Sequence, residues 1–364
     1  MELKVIGITS GVGSLQYGFR KEGFKVLHSH EWRKYYDLSG TYSRNYGCEN
    51  LQSYDPIERF KGVDCIVSHP ECGNFSNLYT GKNRDTRNVD PGDIYKFIDL
   101  CQKYEPKTFL VDNLPKSLMA VTKDDWEKSF PDYNLYFEMV SNWGYGNIQK
   151  NRNRLFIIGV HKDLDWFFVP NERAHNKKLI DAISDIDDNT PNHQKMKLTD
   201  LTQWSGYQIG IKKEGKLTLQ EMQPWFDLYY KNSNLPYYNR KGEMKLKPGY
   251  GVVSIEKTAP VLSGGGGFYD NYWIFDEYYR PLTMRERLRI QGFEDDFILS
   301  PLTYQYSTKE HLSLLKQTGK CMPVQFPQEF ARQLSDYLLN GIKQDFKASR
   351  LLKQPFKNKQ LNLF

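Results

Sequence analysis

The sequence predicts an α/β protein with one large and one smaller domain. Three observations carry this. Short apolar runs at 4–8, 25–29, 62–66, 106–111 and 155–160 have the length and bounding residues of strands. Helix-patterned segments at 15–22 and 93–104 alternate with them, the order expected of strands feeding crossover helices. Polar, chemically capable residues stand just past the ends of several runs, at Glu31, Cys72 and Asp112. In α/β proteins that edge of the sheet is where ligands bind. A chain of 364 residues is long enough to bury a sizeable core and to divide in two.

Composition narrows the class. There is no apolar run of bilayer length and no leader pattern, so a cytosolic protein without a membrane span is expected. The five cysteines, Cys48, Cys65, Cys72, Cys101 and Cys321, are odd in number and lack CxxC spacing. That argues for reduced thiols and against a metal site or a disulfide framework. The net charge of +6 suits a nucleic-acid partner without requiring one.

The first strand runs into Thr9-Ser10-Gly11-Val12-Gly13-Ser14 and then a helix. Such a turn lets a ligand approach the backbone and points helix N–H groups at it, although a plain tight turn has the same sequence. The second strand ends at Glu31-Trp32, about 20 residues after the glycine turn, the usual place for an acid that holds a cofactor ribose. The third leads into Ser68-His69-Pro70-Glu71-Cys72-Gly73, a loop fit to expose a thiol nucleophile. Taken alone, Cys72 is more simply a small buried hydrophobe. The next strand ends at Asp112-Asn113, an acid able to hydrogen-bond or protonate N3 of a cytosine and so open C6 to thiolate attack. A turn cap is the plainer role for the pair. Arg152 and Arg154 enter the last strand at i, i+2 and point the same way, to grip a phosphate or carbonyl oxygen or to join a surface ion-pair cluster.

As an ordered set these segments resemble the C5-cytosine DNA methyltransferase family. Arg280 to Phe293 and Thr318-Gly319-Lys320-Cys321-Met322-Pro323-Val324 look like its ninth and tenth motifs. The resemblance implies a Rossmann-like, S-adenosylmethionine-dependent methyltransferase domain built from 1–160 and 256–345. It also implies a target-recognition domain inserted at 161–255 and a substrate cytosine flipped out of double-stranded DNA. Carried over by position, Cys72 is the nucleophile on C6 and Asp112 the acid at N3. Arg152 and Arg154 hold the base and the loop. Ser10, Gly11, Val12, Gly13 and Ser14 form the cofactor turn, with Glu31 on the ribose, Trp32 beside the sulfonium or adenine and Asn50 on the adenine amine. No metal is implied. A monomer working on DNA in the cytosol of a bacterium or a phage-infected host is expected.

The departures from the family pattern are chemical. Pro-Cys-Gln is replaced by Glu71-Cys72-Gly73, and a carboxylate beside the thiol raises its pKa unless a nearby base pairs with it. The usual Glu is Asp112, the arginine segment carries one extra residue, and Thr9 stands in place of an aromatic. Lys320 replaces an Asn. An ammonium beside a sulfonium is repulsive, but it pairs with the carboxylate of carboxy-S-adenosylmethionine, which would give 5-carboxymethylcytosine. Alternatively Lys320 meets a DNA phosphate, Glu71 or Asp112. A catalytically impaired DNA-binding relative and a tRNA methyltransferase are the competing readings. The tail at 346–364 is basic and ends in Gln360-Leu361-Asn362-Leu363-Phe364, similar to the peptide that docks on the bacterial sliding clamp.

Overall fold

The computed structural model describes residues 2–32, 37–76, 90–195, 234–238, 244–248, 253–262, 273–275, 279–305 and 308–343. The run at Gly264 to Gly267, most of the polar loop after Cys72, much of the inserted segment and the basic tail lie outside them.

The strands are β1 (Lys4–Ile8), β2 (Lys25–His30), β3 (Glu49–Leu51), β4 (Cys65–Ser68), β5 (Thr108–Asn113), β6 (Tyr133–Ser141) and β7 (Asn153–His161). They form one sheet in the order β3-β2-β1-β4-β5-β7-β6. The first five are parallel; β7 runs antiparallel to β5, and β6 antiparallel to β7. The α/β class is as expected. Two strands escape the sequence reading: β3, too short to show a period, and β6, a mostly half-buried edge strand.

Both faces of the central strands are covered, so successive residues enter different cores. Val5, Cys65 and Val67 pack with Leu15 and Phe19 of α1 (Ser14–Lys21). Ile6, Ile8 and Ile66 pack with Phe97 and Leu100 of α3 (Gly92–Tyr104) and with Trp126 of α4 (Lys123–Ser129). Between them in sequence, α2 (Leu38–Tyr46) leads into β3.

After β7 the chain lies on this body. Trp166 and Phe168 join the α1-side core, and Leu179, just before the short α5 (Ile180–Ile183), packs with Ile290. Two small antiparallel ribbons follow, β8 (Asn234–Tyr238) with β9 (Met244–Pro248) and β10 (Trp273–Phe275) with β11 (Tyr279–Pro281).

The C-terminal part adds α6 (Met284–Ile290), α7 (Lys309–Lys320) and α8 (Gln325–Asn340). Helix α8 folds back on α1 closely enough that a Cβ at Gly18 would stand 2.7 Å from the Gln328 nitrogen. Phe326 and Phe330 fill the core beneath. Helix α6 opens on a Thr283–Glu286 capping box, whose carboxylate also takes Arg280 at 2.7 and 2.8 Å. Arg287 donates to Thr318 Oγ1 at 2.8 Å and Arg285 to the Phe297 carbonyl at 2.6 Å. Arg285 thus satisfies a carbonyl that would otherwise be stranded, and Arg287, which also donates to the Leu315 carbonyl, fixes the end of α7 where Lys320 stands.

Candidate active site

The strand order reverses between β1 and β4, and the crevice outside their C-terminal ends is the topological switch point of the sheet. Thr9, just past β1, and Ser68, closing β4, meet there through their hydroxyls at 3.2 Å. Every sequence-expected site residue except Arg152 lies on the loops and strand ends around this crevice or closes it from the end of α7.

On the β1–β2 side, Gly11 donates its backbone N–H to Glu31 Oε2 at 2.9 Å, so the turn and the acid form one unit. Gly13 closes the turn with φ +83, and an added Cβ would meet the Tyr46 hydroxyl at 2.7 Å, so glycine is required there. Ser10 donates to the Val67 carbonyl, and Ser14 accepts from Met322 N–H. Val12 is turned into the α2–α6–α7 core and contributes its backbone. Asn50, on β3 beside the end of β2, buries both side-chain amide atoms without a partner. A buried amide with nothing to bond is costly unless a ligand completes it. An acid on the glycine turn and an unmet amide one strand away fit the ribose and adenine of a nucleoside cofactor.

Trp32 donates its indole N–H to Asp93 Oδ1 at 2.7 Å, and Asp93 Oδ2 accepts the Glu71 N–H at 3.2 Å. Asp93, at the start of α3, therefore ties the cofactor side to the loop of Cys72. The sequence reading assigns it no role, and an acid in a first helical turn carries no signal beyond ordinary capping.

On the β4–β5 side the charges are concentrated. Parallel pairing sets Ser68 opposite Val111, which brings the following residues, His69 and Asp112, side by side. His69 Nδ1 lies 2.5 Å from Asp112 Oδ2, and its Nε2 lies 3.8 Å from Cys72 Sγ. Arg154 grips the same carboxylate with two bonds, Nε to Oδ1 at 2.9 Å and Nη2 to Oδ2 at 2.8 Å. Asp112 is wholly buried. Burial works against its charge, but Arg154 and His69 outweigh it and hold the carboxyl below the usual carboxylate range. Burial likewise opposes the charged His69 imidazole, yet Asp112 and Cys72 raise its pKa. For Cys72, burial pushes the thiol up, while Arg154 and His69 bring it down to about 6. A thiol so placed is a thiolate at neutral pH, the reactive form.

The acid next to Cys72 is accounted for. Glu71 Oε2 pairs with Lys320 Nζ at 2.8 Å, and Oε1 accepts the Gly73 N–H at 2.9 Å. The carboxylate is thus neutralised across the crevice by the unusual lysine, as one of the alternatives for Lys320 anticipates. Arg152 faces elsewhere: it donates to the carbonyls of Leu262 and Cys321, both at 2.7 Å, and so pins the residue after Lys320. Arg154 lines the reacting side. Among the described residues no group of three His, Cys, Asp or Glu side chains could hold a metal ion, and no helix is long and apolar enough to cross a membrane.

Known proteins align with this arrangement over nearly the whole chain. The sequence profile of the C-5 cytosine-specific DNA methylase family matches residues 3–336. The type II methyltransferase M.MthTI of Methanothermobacter thermautotrophicus is 24% identical, over 92% of this chain and 97% of its own. M.FnuDI of Fusobacterium nucleatum is also 24% identical, over 94% and 96%. Among solved structures, a putative DNA modification methyltransferase encoded within an Escherichia coli prophage superposes with a TM-score of 0.59, at 20% identity over 94% of this chain and 100% of that one. Dnmt2 methyltransferase of S. pombe gives 0.59 at 12% identity, over 93% and 100%. With a profile match over most of its length, the chain belongs to the C-5 cytosine-specific DNA methylase family.

Proposed function

We propose that the protein alkylates C5 of a cytosine flipped out of double-stranded DNA, with Cys72 as the nucleophile. The observation that carries this reading is the linked group of Cys72, His69, Asp112 and Arg154 beside the switch point. Cys72 sulfur forms a bond to C6 as N3 takes up a proton, and the ring electrons so displaced make C5 nucleophilic. When bound across the Gly11–Glu31 turn and Asn50, S-adenosylmethionine supplies the activated methyl group. Release of the C5 proton and the N3 proton to solvent, with departure of the thiolate, restores the aromatic ring. Arg154 keeps Asp112 charged and Arg152 holds the chain after Lys320. Target choice falls to the segment inserted at 161–255. The bonded set of Arg154, Asp112 and His69 around the Cys72 sulfur favours an active enzyme over a purely DNA-binding relative.

A second reading concerns the donor. Lys320 faces Glu71 next to the nucleophile, where a cation repels a sulfonium and attracts a carboxylate. Carboxymethyl transfer from carboxy-S-adenosylmethionine would use that lysine. Plain methyl transfer comes first, because Glu71 already neutralises the ammonium. Mass spectrometry of nucleosides from DNA treated with either donor separates the two. 5-Methylcytosine alone in both reactions removes the carboxymethyl reading; no modified cytosine with either donor removes the whole proposal.

Gln360 to Phe364 is proposed to dock on a sliding clamp, its Leu and Phe anchors filling an apolar pocket. Clamp binding unchanged by deleting those five residues would exclude this.

A further inference from the structure

The site contains a histidine that the ordered family motifs do not account for. His69 is almost entirely buried, bonded on one ring nitrogen to Asp112 and facing the Cys72 sulfur with the other. The acid expected at N3, Asp112, is meanwhile saturated, since its two oxygens take both Arg154 bonds and the His69 contact. A carboxyl held charged in this way has no proton to give.

We propose that His69 is a catalytic residue, carrying the Cys72 thiol proton to N3 of the cytosine, with Asp112 and Arg154 as positioning residues behind it. This rests on Cys72 being the nucleophile. The proton leaves Sγ for Nε2 of His69, while Nδ1–H keeps its bond to Asp112. The sulfur electron pair forms the S–C6 bond, the C5=C6 pair becomes a C4=C5 bond, and the C4=N3 pair takes the proton from Nε2. Every atom and charge is accounted for by thiol and base alone. The groups facing the imidazole are Cys72 on its own loop, Asp112 on β5 and Arg154 on β7, the last 3.5 Å from Nδ1. Two of these, Asp112 and the Cys72 thiolate, favour the imidazolium. The arrangement has the logic of a Cys–His–acid triad, in which the third group fixes the tautomer and orientation of the second.

His69→Asn tests this, because its amide keeps a donor near Nδ1 but offers nothing at Nε2; His69→Gln is the second variant should the first fold poorly. The first readout is the pH dependence of Cys72 alkylation by iodoacetamide, without DNA or donor. Burial raises the pKa of each other cysteine, so Cys72 reacts selectively near neutrality. In the wild type the rate rises through about pH 6; in the variants the midpoint moves toward the ordinary thiol value. The second readout is covalent capture by 5-fluorocytosine DNA, slowed about 100-fold or more with DNA affinity unchanged. An unshifted midpoint and undiminished capture in both variants overturn the role of His69. Failure of the underlying reading looks different: Cys72→Ser would then still be captured.

Discussion

On the β1–β2 side of the switch point, the Glu31 carboxylate takes one backbone N–H from the glycine turn, and Asn50 buries two polar atoms with no partner. On the β4–β5 side, Asp112 receives three hydrogen bonds and Glu71 is closed off by Lys320 and Gly73. On one side the Asn50 amide stands without a hydrogen-bond partner; on the other the charges of Arg154 and His69 converge on a single sulfur. The lesson concerns cost. Removing the Asn50 amide from the first side should weaken binding and spare the fold, whereas removing Arg154 from the second strands the buried Asp112 charge.

The largest break in this contrast comes at the point the charges converge on. Cys72→Ser is expected to reduce modified cytosine to background, as read by nucleoside mass spectrometry, while DNA binding measured by titration persists. Residual product near the wild-type level would remove Cys72 from the chemistry.

Next is Arg154→Ala, which leaves Asp112 buried without its two-bonded partner. Breaking a buried pair from one side costs about 3–5 kcal/mol, read by urea unfolding. The thiol should also lose its low pKa, because the arginine field is one of the two causes that lower it. Alkylation then rises at higher pH than the wild-type midpoint near 6. The sign follows from thiolate being the reactive form, whose fraction grows as pH climbs through the pKa.

Asn50→Ala sharpens the contrast from the other side. Its amide bonds nothing in the protein, so no hydrogen bond is lost, and relief of an unmet buried amide, worth about 1–3 kcal/mol, offsets the packing lost; stability should not fall. Affinity for S-adenosylmethionine should fall about tenfold by calorimetry, the worth of roughly one lost hydrogen bond to a buried ligand. A large stability loss with affinity intact would reverse the assignment.

The smallest effect belongs to Lys320→Asn. The pair with Glu71 is partly solvated, each side chain 29% exposed, so its loss should cost under about 1 kcal/mol. Without the lysine charge opposite it, the Glu71 carboxylate should raise the Cys72 thiol further, since it already acts in that direction. Alkylation at pH 6 slows accordingly. An unmoved thiol would show that Glu71 and Lys320 act on the donor or on DNA instead.

Part of the site is legible in the sequence because several expected residues stand at the end of a strand that announces itself by apolarity. Cys72, Asp112, Glu31 and the glycine turn are of this kind. His69 is not, even though it stands three residues from Cys72. Its significance depends on Asp112 lying beside it, which follows from the parallel register of β4 and β5 rather than from any local pattern. Lys320 is visible as an anomaly, but its partner Glu71 is 249 residues away, and only the packing of α7 selects it from the alternatives. The strands β3 and β6 fail for different reasons. Three residues are too few to establish a period, and a half-buried edge strand dilutes its alternation.

The most direct test of the account is the intact mass of the protein after reaction with S-adenosylmethionine and a DNA duplex carrying 5-fluorocytosine at its target. Fluorine at C5 cannot leave as a proton does, so the S–C6 bond stays in place once the methyl group has been added. The expected result is a covalent protein–DNA species whose cross-linked peptide contains Cys72, absent from Cys72→Ser. Ordinary duplex methylated by the wild type with no such species from the fluorinated one, or a cross-link that survives Cys72→Ser, would contradict the account.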